Sequence, residues 1–232
     1  MRKFLLLLLL LIPSLSAAEP LRVFASVVPI QTFVQRIGGE HVDARAMVRP
    51  GFNPHTYDPT PQQISALAGA ALYVRTGVPF EKAWMERIRS ANLEMQVLDA
   101  REGISLREME AHGHDEHEGH DEHEGHTEDD SHAGEHAHEQ DPHVWTSPPL
   151  VKHMAGKIRD KLNQLAPDHA ADFASNHDAL LAELDALDAE LNTLLDPLVN
   201  RKFMVFHPAW GYFADNYRLI QVPIEDEGKS PG

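Results

Sequence analysis

The chain has 232 residues, no cysteine, and a formal net charge of −16 from 36 acidic and 20 basic side chains. Disulfides are excluded as a source of stability, and any metal site must draw on His, Asp or Glu. No basic stripe exists to displace counterions from a phosphate backbone, which excludes nucleic acid as a partner.

Met1-Arg2-Lys3 is a short positive segment followed by an apolar run over 4–12 and the small residues Ser16, Ala17 and Ala18. That order is a secretory signal, and its apolar core is far short of the roughly 20 residues that span a bilayer. Residues 1–18 are therefore expected to be cleaved, leaving an exported chain with no stable membrane insertion. Without a cysteine to acylate, no lipid anchor is expected.

Beyond the signal, 21–26 alternates as a strand, and 30–37 carries apolar residues at helical spacing up to Gly38-Gly39. A second strand over 42–48 stops at Pro50-Gly51. Thr60 as N-cap, Pro61 at the first position and Gln63 completing a capping box predict a helix to about Gly69. A strand over 71–75, a helix over 80–90 with Phe80, Trp84 and Ile88 on one face, and a strand over 95–98 follow. This alternation predicts an α/β fold with parallel sheets and covering helices.

Residues 103–140 break the pattern. Gly-His-Asp-Glu-His-Glu occurs at 113–118 and again at 119–124, and from His112 through Asp141 stand 12 acidic residues and no Lys or Arg. Such a segment cannot bury a core and is expected to be disordered without metal. Pattern returns with an amphipathic helix over 148–165. Phe173, His177, Leu180, Leu184, Leu187, Leu191, Leu194 and Leu198 then step by four and three in one stripe. A heptad stripe suits a coiled coil, but here it is expected to pack along two lobes as a long rigid connecting helix over 167–198. A strand over 203–206, a short helix over 210–217 and a strand over 219–224 complete the chain. The expected organisation is an N-terminal lobe over 19–166, the connecting helix, and a second lobe over 199–232 that is incomplete.

Three histidines are framed by proline and aromatic residues at the mouths of loops. They are His55 in Pro54-His55-Thr56-Tyr57-Asp58-Pro59, His143 in Asp141-Pro142-His143-Val144-Trp145, and His207 in Phe206-His207-Pro208-Ala209-Trp210. His55 and His207 follow strands, at the carboxyl edge where open α/β sheets hold ligands. Proline beside each imidazole restricts the backbone that carries it. His41, His153, His169 and His177 lack this framing and are read as surface or core residues. Trp145, Trp210 and Tyr212 are read as cleft walls or core.

The stretches PGFNPHTYDPTP, DPHVWTSP and FHPAWGYFADNYRL, in this order, resemble the solute-binding proteins of zinc and manganese ABC importers. The acidic, His-rich insertion between the first two is similar to the loop of the zinc branch. The resemblance covers nearly all of the chain after the signal. It implies two α/β lobes with metal in the cleft between them, and His55, His143 and His207 as ligands. It also implies a periplasmic, monomeric protein that docks on an ABC transporter permease. The carboxylate that commonly completes the site near the end of the second lobe has no match at Glu225, Asp226 or Glu227, so the fourth position stays open.

Imidazole donors suit tetrahedral zinc, whereas manganese takes more oxygen. Histidine in the third motif, where manganese carriers tend to have glutamate, favours Zn2+ over Mn2+. Asp58 and Asp141 are candidates to orient the ligating rings. In the loop, His112, His114, His117, His120, His123, His126, His132, His136 and His138 are expected to form a weak secondary collector or sensor of metal. A zinc hydrolase would share three histidines and an open position, but no His-Glu-x-x-His helix or adjacent base is present; binding without catalysis is expected.

Overall fold

The computed structural model describes residues 19–109 and 140–224. Residues 1–18, read from the sequence as a signal, and the nine loop histidines lie outside the described residues.

Four strands form a parallel sheet: β1 (Leu21–Ala25), β2 (Val42–Ala46), β3 (Leu72–Arg75) and β4 (Gln96–Asp99), in the order β2-β1-β3-β4. The central strands read as apolar runs because both faces are covered. Val23, Phe24, Ala25, Leu72, Tyr73 and Val74 are all buried. The edge strands β2 and β4 are more exposed at alternate positions. Helix α1 (Val28–Gly38) connects β1 to β2; α2 (Pro61–Ala66) and α3 (Pro79–Ala91) flank β3. Right-handed crossovers place α1 on one face and α2 and α3 on the other.

Local signals set these boundaries. The Thr60 hydroxyl accepts the Gln63 N–H at 3.3 Å while the Gln63 Oε1 accepts the Thr60 N–H at 3.0 Å. These bonds satisfy two donors that a helix start leaves open. Gly39 at φ +56° turns the chain out of α1, a conformation that costs glycine little. Strand β2 ends two residues before expectation, although Met47 and Val48 still donate to Ala25 and Ser26 at 2.8 and 2.9 Å.

Helices α4 (Pro148–Leu165) and α5 (Ala170–Leu195) pack on each other and on α1. At 26 residues, α5 is about 39 Å long. Beyond it, β5 (Lys202–Val205), α6 (Gly211–Asn216) and β6 (Ile220–Pro223) form a β-α-β unit with a parallel two-stranded sheet. The α/β class with parallel sheets and covering helices is as expected. The leucine stripe of α5 is not uniformly packed, however. Phe173, His177, Leu180 and Leu184 are buried, whereas Leu187 and Leu194 are 45% and 60% exposed. The first half lies against α1 and α4. Polar ties hold the second half to the small unit: the Tyr217 hydroxyl donates to Asp188 at 2.7 Å, and Asn216 donates to the same oxygen at 3.2 Å.

Candidate metal centre

His55 sits on the loop after β2. The Asn53 side chain accepts the His55 N–H at 2.9 Å, and the Pro54 carbonyl accepts the Phe80 N–H at 3.3 Å, fastening the loop to the start of α3. Tyr57 anchors the other side. Its ring is buried edge-on to Phe52 and Phe80, and its hydroxyl donates to Gln63 at 2.8 Å. The Asp58 carboxylate accepts the Trp84 indole N–H at 3.1 Å. The residue lies on the stretch that leads away from His55 toward the capped start of α2.

His143 is the most enclosed of the three, 7% exposed. One oxygen of buried Asp141 lies 2.9 Å from the His143 backbone N–H and 2.7 Å from Nδ1. A carboxylate at that distance fixes the proton on Nδ1 and leaves the Nε2 lone pair for another partner. Pro142 between them holds the short turn. The Asp141 carbonyl accepts the Tyr212 hydroxyl at 2.9 Å, and the same hydroxyl accepts the Arg107 N–H at 3.1 Å. The Arg107 guanidinium lies 3.8 Å from the Asp141 carboxylate and 3.3 Å from Asp215. Tyr212 is thus more than core: it ties α6 to the segment carrying His143. Burial is the chief cause of its phenol being raised above the ordinary tyrosine range.

His207 follows β5 in a tight turn closed by the Ala209 N–H on the His207 carbonyl at 2.8 Å. Its ring meets His55 at 5.0 Å and His143 at 5.2 Å between centroids, nearly perpendicular to each. One ligand atom from each of the three histidines can be chosen so that all lie within 4.8 Å of one another. Tetrahedral zinc asks for nitrogens about 3.3 Å apart, so a bound ion requires the three rings to draw closer than they stand here. Beside His143 an apolar cavity of about 470 Å³ is lined by Phe33, Trp145, Leu184, Leu187, Trp210 and Phe213. Trp145 and Trp210, expected as cleft walls or core, line this cavity.

The parallel sheet, the small β-α-β unit and the long helix between them bring together three imidazoles from distant segments of the chain. The model of the family described as ZnuA, zinc-uptake complex component A, periplasmic, matches residues 23–232. The chain belongs to that family. A high-affinity zinc uptake system protein ZnuA of Paracoccus denitrificans is 35% identical over 90% of this chain and 68% of its own length. The counterpart from Bacillus subtilis is 32% identical over 93% of this chain. The chain spans 64% of that Bacillus relative and 40% of the zinc-binding protein AdcA of Streptococcus pyogenes. Among solved structures, a ZnuA deletion mutant with zinc bound superposes at a TM-score of 0.77 with 38% identity, covering 92% of this chain and 73% of that one.

Proposed function

We propose that the protein captures Zn2+ in the periplasm between its two units and delivers it to the membrane permease of an ABC importer. One observation carries this: candidate ligand atoms of His55, His143 and His207 lie within 4.8 Å of one another although the residues are far apart in the chain. Two of the ligands come from the large unit and one from the small, so one ion bridges both. Three imidazoles leave a position of a tetrahedral ion for water or a carboxylate. The relatives are zinc uptake proteins, and the nitrogen donor set favours zinc over manganese.

In this reading the protein is a carrier and not an enzyme, because Asp141 already holds an imidazole N–H and is not poised as a base toward a bound water. Residues 1–18 act as the export leader of a soluble monomer, and no cysteine offers a thiol for lipid attachment. The histidines from 112 to 138 serve as a low-affinity collector or sensor of metal, whereas 103–109, expected to be disordered with them, pack on the fold through Ile104, Leu106 and Arg107. Among the described residues no helix is long and apolar enough to cross a membrane.

Competition of the purified protein against a chromogenic chelator tests the assignment. His55→Ala and His207→Ala should each weaken zinc binding by more than the roughly 10–100-fold that loss of a supporting partner costs. Deletion of 112–138 should leave one tight site intact. Manganese should fail to displace the zinc. Loss of the tight site on deletion, with the two substitutions harmless, would sink the proposal.

A further inference from the structure

At the opposite edge of the large sheet, ahead of β2, three side chains unused by the cleft come together. His41 ends the short 3-10 turn Gly39–His41, while His169 and Asp172 stand at the entry to α5. One ligand atom from each can be chosen so that all lie within 4.8 Å of one another. His41 Nε2 is 2.9 Å from an Asp172 oxygen, and the two imidazoles stack 3.8 Å apart at an interplanar angle of 10°. Fully buried Phe173 meets both rings edge-on at 6.0 and 6.2 Å. The rings thus rest on an apolar floor with Asp172 exposed on the solvent side.

The backbone holds this arrangement from both ends. One turn further along α5, the Asn176 amide donates to the Ile37 carbonyl at 3.1 Å. Gly39 turns beneath it at a point where a Cβ would come within 2.9 Å of that amide. An ion pair of His41 with Asp172 accounts for two of the three residues and makes no use of the His169 nitrogens. Two neutral imidazoles and one carboxylate, by contrast, are a donor set that zinc-like ions accept.

We propose that His41, His169 and Asp172 form a second site for a divalent transition metal of the zinc class, separate from the cleft. The parallel rings must tilt to bring their nitrogens to about 3.3 Å. Water fills the remaining coordination position. The positive end of α5 opposes a cation here, and the Asp172 charge in the first turn offsets it. The site therefore binds more weakly than the cleft and fills at higher metal. A bound ion clips the chain entering β2 to the start of α5.

Crystals of the full chain grown with millimolar Zn2+ and measured at the zinc absorption edge give the test. The expected result is an anomalous peak within bonding distance of His41, His169 and Asp172, absent from crystals of His169→Gln. A cleft peak with no peak here overturns the inference. A peak here with a bare cleft upholds it and overturns the transport assignment instead. In solution, 15N-imidazole signals identified with His41→Gln and His169→Gln should shift at zinc levels above those that saturate the cleft. Signals that stay fixed count against the site.

Discussion

At Asp141 a single oxygen serves both the backbone and the ring of His143, so the carboxylate fixes the loop and the tautomer together. Asp141→Asn keeps an acceptor but removes the charge. Zinc affinity should fall roughly 10–100-fold, measured by chelator competition, with little change in fold by circular dichroism. Tyr212→Phe removes the donor to the Asp141 carbonyl and the acceptor for the Arg107 N–H. Leaving these groups unmatched should cost about 1–3 kcal/mol in urea unfolding. Tyr212 stands in the third motif, but its bonds to Asp141 and Arg107 carry no signal in the sequence, because those partners are 71 and 105 residues away.

At the scale of elements, the start of α3 is organised by Glu81, a fully buried carboxylate. It accepts from the Ser26 hydroxyl, the Thr76 and Gly77 N–H groups at 3.2 and 2.7 Å, and Arg75 at 3.2 Å. Burial raises this carboxyl above its ordinary range, against the lowering pull of Ser26, Arg75 and the two N–H groups. A raised folded-state value means the protonated form is favoured by folding. Its stabilisation is therefore complete below the unfolded carboxylate range and is lost as pH rises through the folded value. Glu81→Gln turns an amide N–H2 toward donors and should cost about 1–3 kcal/mol in acid. The gap from the wild type should narrow as denaturation is repeated at rising pH. In α5, the Nε2 of buried His177 has no hydrogen-bond partner. His177→Leu continues the stripe of Phe173, Leu180 and Leu184 and should stabilise by about 1 kcal/mol, read as a higher urea midpoint.

For the whole molecule, the ligands of the proposed zinc site come from units that otherwise meet along α5, through Tyr212, and around the apolar cavity beside His143. An ion that joins them stabilises the closed arrangement by mass action. Free zinc at about 100 times its dissociation constant should add about 2.7 kcal/mol. That increment should raise the thermal midpoint of the wild type and vanish in His207→Ala. The second half of the α5 stripe leaves Leu187 and Leu194 open to solvent, and Asp188 in that half is bonded to Asn216 and Tyr217 of the small unit.

Much of the fold was legible before any coordinates, because local physics writes it. The Thr60-Pro61-Gln63 cap, the apolar runs of β1 and β3 and the four-three stepping of α5 depend on neighbours a few residues away. The framing of His55, His143 and His207 by proline also stands in the sequence, and it picked out the imidazoles that meet. Tertiary structure alone decided the rest. It gave Asp141 to His143 and Asp58 to Trp84, buried only half of the leucine stripe, and stacked His41 on His169. Each of these depends on which distant segments share a surface, and side-chain spacing along one segment holds no record of what packs against it.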